Sequence, residues 1–257
     1  MGRFASVAEL YEKFRQPYSA EFFRTVAEKL KLSKQHALID LGTGPGLLAI
    51  GFAPYVGRVT AVDPEPAMLV TARKAGLRAG QAIDWIEGRA EDLPDGTGPF
   101  DVVSIGRALH WMDREALGPL FARLLKPGGA IVICGSSSAR DGRNEWLDTY
   151  NEARRVWSDE RLWSEAGKGD RTHRDLIGML ERLGFHVAET VRVETTHEIS
   201  VSDLAQRVLT FSSSSPAALG DKMDAMLTDI EARLSSFSHS GSVTETLVSA
   251  ADILKRD

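Results

Sequence analysis

The chain has 257 residues, 43% of them hydrophobic, so it is long enough to bury a full core as one domain or as one domain with an insertion. Its net charge of −5, with no block of Lys or Arg, gives no sign of the basic surface that nucleic-acid binding requires, so a nucleic-acid substrate is disfavoured. One cysteine excludes a disulfide framework, and no stretch approaches about 18 uninterrupted apolar residues, so we expect a cytoplasmic protein with no membrane partner.

Five short apolar, β-branched runs alternate with helical patterns in the first half of the chain. They are HALIDL (36–41), RVTAVD (58–63), AIDWIE (82–87), FDVVSI (100–105) and AIVICG (130–135). Runs of this kind are typical of strands buried on both faces of a parallel sheet. The repeated strand-helix unit predicts a doubly wound α/β structure. Cys134 falls in the fifth run, where we interpret it as a buried thiol that acts as a small hydrophobe.

The pattern changes after the fifth run. The segment at about 136–170 has no strand signal and predicts a helical cap inserted over the sheet edge. Its three tryptophans are most simply core anchors of the cap: Trp146, Trp157 and Trp163. Farther on, segments 186–199 and 244–254 alternate polar and apolar residues, which favours an antiparallel edge pair. The predicted fold is therefore a seven-stranded sheet of five parallel strands plus an antiparallel edge pair.

The stretch LIDLGTGPG (38–46) places a glycine-rich turn directly behind the first strand. A dinucleotide fingerprint is G-x-G-x-x-G with an acidic residue about 20 positions later, whereas here the spacing is G-x-G-x-G. Asp63 suits a ribose diol in either case, so it cannot decide the ligand. Pro45 removes one backbone N–H that a pyrophosphate would use, and Asp40 precedes the turn. Together they favour a ligand without phosphates over a nicotinamide dinucleotide.

Five motifs in the same order resemble those of class I S-adenosylmethionine-dependent methyltransferases: LIDLGTGPG, VTAVDPEPAML, EGRAEDLP, FDVVSIGRALHWMD and LLKPGGAIVI. The flanks YEKFRQPYSAEFF, ALHWMD and TETLVSAADILKR are similar to the branch of trans-aconitate methyltransferase-like small-molecule enzymes. The resemblance implies one Rossmann-like domain over 1–257, with lid helices at about 1–32. It also implies S-adenosyl-L-methionine as cofactor, a small-molecule substrate, and a monomer or homodimer. No metal site is expected.

The resemblance assigns each part of the cofactor to a group of residues. The glycine turn would approach the methionine end, Asp63 the ribose, and the loop after the third strand the adenine. Arg89 stands where relatives often carry an acid, which leaves open whether Glu91 or Asp92 binds the exocyclic amine. The full cofactor set is Tyr11, Arg15, Asp40, Gly42, Thr43, Gly44, Gly46, Asp63, Pro64, Met68, Ala90, Glu91, Asp92 and Gly106.

Asp40 has two interpretations. It is either a strand residue paired to a helix terminus, or the group that holds the turn or the amino group of the ligand. An aspartate in a buried run is costly unless it is hydrogen-bonded, and perturbed buried acids cluster at functional sites, so we favour the role near the ligand.

Methyl transfer from a sulfonium is an in-line displacement, so alignment and desolvation are the main tasks of the protein. If the acceptor is a hydroxyl or an amine, His110 is the candidate general base, with a packing role as the alternative. If the acceptor is a carboxylate, as the resemblance to the trans-aconitate branch implies, no base is needed and cationic residues would orient it. The candidates are Arg15, Arg107, Arg154 and Arg155, with Tyr11 and Tyr18 closing the pocket. The candidate substrate residues are Tyr18, Arg107, Trp111, Trp146 and Tyr150.

Two other enzyme classes are alternatives. The first has the same fold and uses S-adenosylmethionine without methylating, for instance in an intramolecular cyclisation that releases methylthioadenosine. The second is an NAD-dependent oxidoreductase, which the turn and the motifs after it disfavour.

Overall fold

The computed structural model describes residues 7–158 and 175–256. The chain divides into two compact units. The sheet unit comprises 17–135, 171–193 and 249–257, and the helical unit comprises 1–16, 136–170 and 194–248. The expectation of one domain with lid helices and a cap stays a prediction, and the cap residues 159–170, with Trp163, lie outside the described residues.

Seven strands form one sheet. They are β1 (Ala37–Leu41), β2 (Arg58–Asp63), β3 (Asp84–Glu87), β4 (Phe100–Gly106), β5 (Leu125–Ser138), β6 (Phe185–Ser200) and β7 (Ser242–Arg256). Their order is β3-β2-β1-β4-β5-β7-β6, with parallel pairing from β3 through β5. In register, Ile39 of β1 faces Thr60 on one side and Val103 on the other. The carboxyl ends of β1, β2 and β4 therefore lie side by side at one edge of the sheet.

The last two strands run antiparallel. Thr190 donates to Asp252 Oδ1 at 2.7 Å near the start of β6, and Thr244 donates to Glu198 Oε1 at 2.6 Å near its end. The residue numbers on β7 thus decrease as those of their partners on β6 increase. This confirms the predicted antiparallel edge pair. The seven-stranded α/β fold is as predicted.

The helices are α1 (Ala8–Phe14), α2 (Ala20–Lys29), α3 (Leu47–Phe52), α4 (Pro66–Arg78), α5 (Leu117–Leu124), α6 (Leu147–Trp157), α7 (175–182), α8 (Val201–Arg207), α9 (Pro216–Leu219) and α10 (Met223–Leu234). None of the helices in the described ranges is both long and apolar enough to cross a bilayer. The core of the helical unit is an apolar cluster of α6, α8 and α10 side chains.

The sheet unit has an apolar cluster on each face of its parallel strands. Leu38 belongs to one cluster and its neighbour Ile39 to the other, and both are fully buried. Burial on both faces is what the continuous apolar runs predicted. Cys134 is buried on β5, as expected, and burial raises the pKa of its thiol well above the ordinary value.

The bounds of β3 and β5 differ from the sequence prediction. β3 begins at Asp84 and not at Ala82, where the predicted run starts, because Ala82 is exposed and pairs with no strand. β5 begins at Leu125, directly after α5, because Leu125 pairs with Phe100 ahead of a bulge in the β4 ladder. β5 also runs on to Ser138, so the first residues of the predicted cap are strand.

Candidate functional site

The glycine turn connects β1 to α3 and is built around left-handed backbone. Gly42, Gly44 and Gly46 have φ of 68°, 55° and 87°, conformations that cost a side chain energy. The N–H groups of Gly42 and Thr43 both donate to the Val62 carbonyl at 2.9 Å, which fastens the turn to the end of β2. A Cβ at Gly42 would lie 2.4 Å from the Ala108 Cβ, so only glycine fits there.

Asp63 ends β2 and holds the turn through backbone donors. Its Oδ2 accepts from the Gly44 N–H at 2.8 Å, and its Oδ1 accepts from the Glu65 N–H at 2.9 Å. Burial raises the pKa of this carboxyl, although both hydrogen bonds act in the opposite direction. Each oxygen keeps a lone pair, so the carboxylate is oriented and has capacity for two further donors.

Asp40 is a buried acid with one satisfied oxygen. Its Oδ1 accepts from the Ser104 hydroxyl of β4 at 2.8 Å, across the Asp40–Ser104 register pair. Its Oδ2 makes no hydrogen bond that meets the geometric criteria with any described residue. The Thr43 side chain and the Ala49 N–H nevertheless lie close enough to the carboxyl to favour its ionised form. Burial outweighs these contacts and raises the pKa of Asp40 to about 6. The orphaned oxygen is suited to a cationic donor.

Glu91 connects two loops at the carboxyl edge of the sheet. Its Oε1 accepts from the Asp113 N–H at 2.5 Å, and it also pairs with Arg89 at 3.4 Å. Asp92, by contrast, is exposed in the same short 3₁₀ turn, in which Ala90 is buried. Both donors go to Glu91 Oε1, so either Glu91 or Asp92 could still accept from an adenine amine, and the choice between them stays a prediction. The two residues predicted to border the adenine differ in exposure, with Met68 buried in α4 and Pro64 exposed.

The end of β4 carries a strained arginine. Arg107 has φ of 58°, and its Cζ lies 5.2 Å from the ring centroid of Tyr18, a buried residue ahead of α2. A Cβ at Gly106 would lie 2.7 Å from Leu48 Cδ1, so the strand end passes close to α3. The next turn exposes His110, whose ring lies 4.8 Å from that of Trp111.

The remaining predicted site residues belong to the helical unit. The Arg15 Cζ lies 5.3 Å from the Tyr11 ring centroid. Trp146 is buried and donates its indole N–H to the Thr244 carbonyl at 3.0 Å, and its ring packs edge-on against Tyr150. These contacts fit the core-anchor interpretation of Trp146. The substrate roles of Trp146 and Tyr150 stay predictions.

Sequence reasoning missed several polar groups. Ser104 had a usable signal, because it is a hydroxyl inside an otherwise apolar strand. Arg207 and Glu245 had none, because they are far apart in sequence. Arg207 pairs bidentately with Glu245 at 2.6 and 2.8 Å, and Ser138 donates to the same carboxylate at 2.6 Å; all three side chains are buried.

Comparison with known proteins shows similarity to methyltransferases. Residues 38–129, which hold the turn and β1–β4, match the model described as "Methyltransferase domain". An uncharacterized methyltransferase of Mycobacterium bovis is 32% identical over 149 residues, or 58% of this chain and 57% of that protein. A ubiquinone biosynthesis O-methyltransferase of Xanthomonas oryzae pv. oryzae is 37% identical over 110 residues, or 42% and 46%. The chain thus spans about half the length of the curated relatives it matches.

A solved structure has the same fold. The S-adenosylmethionine-dependent methyltransferase from Thiobacillus denitrificans in complex with S-adenosyl-L-homocysteine has a TM-score of 0.58 and 17% identity, and the match covers 100% of this chain and 99% of that one. Likeness to the trans-aconitate branch stays a prediction. Residues 38–129 therefore match a methyltransferase domain, and the chain shares its fold with a solved S-adenosylmethionine-dependent methyltransferase.

Proposed function

We propose that this protein transfers a methyl group from S-adenosylmethionine to a small-molecule acceptor. The observation that carries the proposal is the pair of buried carboxylates at neighbouring strand ends. Asp63 is held by two backbone N–H groups, and Asp40 keeps one oxygen without a partner among the described residues. A zwitterionic ligand with an ammonium group and a ribose diol would satisfy both carboxylates.

The residues present fit this cofactor. Asp40 Oδ2 would accept from the ammonium, Asp63 would accept from the ribose hydroxyls, and either Glu91 or Asp92 would accept from the adenine amine. The left-handed glycines leave no side chain between the turn backbone and the methionine end. When bound, the cofactor supplies a methyl group on a positively charged sulfonium.

The protein contributes alignment and removal of water, which suffice for an already nucleophilic acceptor. For a hydroxyl or amine acceptor, we assign His110 as the general base because it is exposed beyond the carboxyl end of β4. A neutral imidazole takes up a proton near neutrality, and loss of such a base typically costs about 10²–10⁴-fold in rate. His110→Asn should therefore lower kcat and abolish the decrease of kcat at acidic pH. The Kd of the cofactor should stay constant. A kcat-pH profile equal to that of the wild type would remove the role.

Cofactor choice is tested by calorimetry against S-adenosylmethionine and NAD. We expect only the first to bind, and Asp63→Asn to weaken that binding about 10- to 100-fold, since hydrogen bonds to a charged group are worth about 1.5–3 kcal/mol. Asp84→Asn, an exposed acid on β3, is the matched control and should bind like the wild type. Tight binding of NAD alone would overturn the proposal.

The reaction is tested by its products. S-adenosylhomocysteine would establish methyl transfer. Methylthioadenosine would mean that the bond between the sulfur and the methionine side chain is cleaved, and that the chain is not a methyltransferase.

A further inference from the structure

Ser104 of β4 is a hydroxyl buried inside an apolar strand. It lies opposite Asp40 of β1 in the parallel register, and its Oγ donates to Asp40 Oδ1 at 2.8 Å. Ser104 is 0% exposed, so its hydroxyl has no access to bulk water. A serine hydroxyl carries a single donor, and this donor is therefore committed to Asp40.

The bond divides the two oxygens of Asp40 between the protein and a ligand. Oδ1 is occupied by Ser104, whereas Oδ2 makes no hydrogen bond within the described ranges of the chain. A carboxylate that turns freely could offer either oxygen, and the bond to Ser104 removes that freedom. The oxygen left to accept from an ammonium group is therefore Oδ2.

Ser104 also favours the charged form of Asp40. Burial raises the pKa of the carboxyl to about 6, and the Thr43 side chain, the Ser104 hydroxyl and the Ala49 N–H all act in the opposite direction. A donated hydrogen bond stabilises a carboxylate more than it stabilises the neutral acid. Loss of the Ser104 hydroxyl would therefore increase the fraction of Asp40 that is protonated near neutral pH.

The other ionisable groups around Asp40 come from neighbouring strand ends. Asp63, at the end of β2, acts on Asp40 as a like charge and disfavours its ionisation. On β5, Cys134 is within electrostatic reach of both Asp40 and Arg107, and its raised pKa keeps the thiol neutral at neutral pH. Among the described residues, the groups that favour ionised Asp40 are two hydroxyl side chains and one backbone N–H. A ligand ammonium would add the positive charge that this set lacks.

We propose that Ser104 is a positioning residue of the cofactor site: its hydroxyl anchors Asp40 Oδ1, keeps the carboxylate ionised and leaves Oδ2 for the ammonium group of S-adenosylmethionine. The contact between Ser104 and Asp40 lies within the sheet unit alone. The inference rests on the proposed function in one respect, namely that the ligand held by Asp40 is S-adenosylmethionine.

The first test follows Asp40 without any ligand. Carbon-13 NMR of the aspartate carboxyl groups gives the titration midpoint of Asp40, whose signal is assigned by its loss in Asp40→Asn. Ser104→Ala should raise this midpoint by about one pH unit, because a hydrogen bond to a charged group is lost.

Thr60→Val is the matched control for this titration. It removes a hydroxyl that is also buried in the sheet, on β2 opposite Ile39, and should leave the midpoint of Asp40 unchanged. An unchanged midpoint in Ser104→Ala, or an equal shift in Thr60→Val, would overturn the role of Ser104.

The second test is calorimetry of the whole protein with S-adenosylmethionine at about pH 6 and about pH 8.5. At the lower pH, Ser104→Ala should bind about fivefold more weakly than the wild type. The reason is that a midpoint raised from about 6 to about 7 lowers the ionised fraction of Asp40 from about one half to about one tenth. The difference should shrink at the higher pH, where Asp40 is ionised in both proteins. An equal loss at both pH values would indicate general damage to the site and overturn the proposal.

Two further variants keep the test decisive if Ser104→Ala does not fold. Ser104→Cys fills the same space with a weak donor and should behave as expected for Ser104→Ala. Ser104→Thr retains the hydroxyl on a β-branched residue that suits a strand, and it should restore the wild-type pH profile. A folded Ser104→Thr variant with the profile of Ser104→Cys would overturn the proposal.

Failure of this inference and failure of the proposed function give different results. A raised Asp40 midpoint in Ser104→Ala, in a protein that does not bind S-adenosylmethionine, would support the action of Ser104 on Asp40 and overturn the proposed methyltransferase activity. Wild-type affinity of Ser104→Ala for S-adenosylmethionine at about pH 6 would overturn the positioning role and leave the proposed function standing.

Discussion

The two units hold their buried charges in different ways. In the sheet unit, Asp40 and Asp63 are buried acids whose recorded donors are a hydroxyl and backbone N–H groups. In the helical unit, the buried charges of Arg207 and Glu245 are paired with each other. Charges held by neutral dipoles keep their field available to a ligand, whereas a charge held by a counter-ion does not. The difference separates groups that can recognise ligands from groups that fix the fold.

The largest expected effect concerns the counter-ion pair. Glu245→Gln leaves Arg207 buried without its carboxylate and should lower the free energy of unfolding by about 3–5 kcal/mol, measured by urea denaturation. The matched control is Glu194→Gln, which breaks an exposed pair with Arg143 and should leave stability almost unchanged. A small decrease in the free energy of unfolding of Glu245→Gln would mean that this pair does not stabilise the fold.

The next largest loss of stability is expected from substitutions in the glycine turn. Gly42→Ala should lower the free energy of unfolding by about 2–5 kcal/mol, because a left-handed residue with a side chain costs about 1–2 kcal/mol and the clash with Ala108 adds to it. Gly44→Ala shares the left-handed backbone, but a Cβ there meets no atom within 4 Å, so only about 1–2 kcal/mol is expected. Equal losses in urea denaturation would show that backbone strain alone explains the requirement for glycine.

Asp40 should make stability depend on pH. Its folded pKa of about 6 exceeds the ordinary 3.8, so the folded state binds its proton more tightly than the unfolded state does. The free energy of unfolding should therefore fall by up to about 3 kcal/mol as pH rises from about 4 to 6, and stay lower above that range. Asp40→Asn should remove this part of the slope, whereas Asp84→Asn should retain it.

Cofactor binding should show the reverse dependence if Asp40 receives the ammonium. Affinity for S-adenosylmethionine should then weaken as pH falls below about 6, because the protonated acid loses its charge. A flat profile in wild-type calorimetry would place the ammonium elsewhere.

The smallest expected effect concerns the strained arginine of the sheet unit. Arg107→Gly and Arg107→Met both remove the guanidinium, but only glycine relieves the left-handed backbone. The glycine variant should therefore be about 1 kcal/mol more stable than the methionine variant. Thermal denaturation of the pair measures the difference, and equal midpoints would show that the conformation is stabilised by its surroundings.

Much of the sheet unit could be predicted because its site is local. The turn follows β1 directly, and Asp63 ends the next strand, so spacing along the chain matches proximity at the edge of the parallel sheet. The existence of the parallel strands followed from the apolar runs, whereas their order in the sheet did not. The start of β3 and the length of β5 did not, because pairing with a neighbour decides where a ladder ends.

The helical unit was much harder to predict. Phe211 contacts Arg15 and Arg154, which come from distant segments of the chain, and no periodicity connects such positions. The alternation of β6 and β7 indicated an edge pair, but Glu245 within β7 gave no sign that its partner would be Arg207. Contacts of this kind follow from tertiary packing, so residue types alone do not reveal them.

Cys134 gives the sheet a built-in reporter. It is the one cysteine of the sequence, it is 3% exposed on β5, and its raised pKa keeps the thiol protonated at neutral pH. Thiol reagents react with the exposed thiolate, so they can modify this side chain only when the strand opens. The rate at which the thiol is modified therefore reports how often the sheet opens. The decrease in this rate on addition of S-adenosylmethionine would measure how strongly the bound cofactor stabilises the closed sheet.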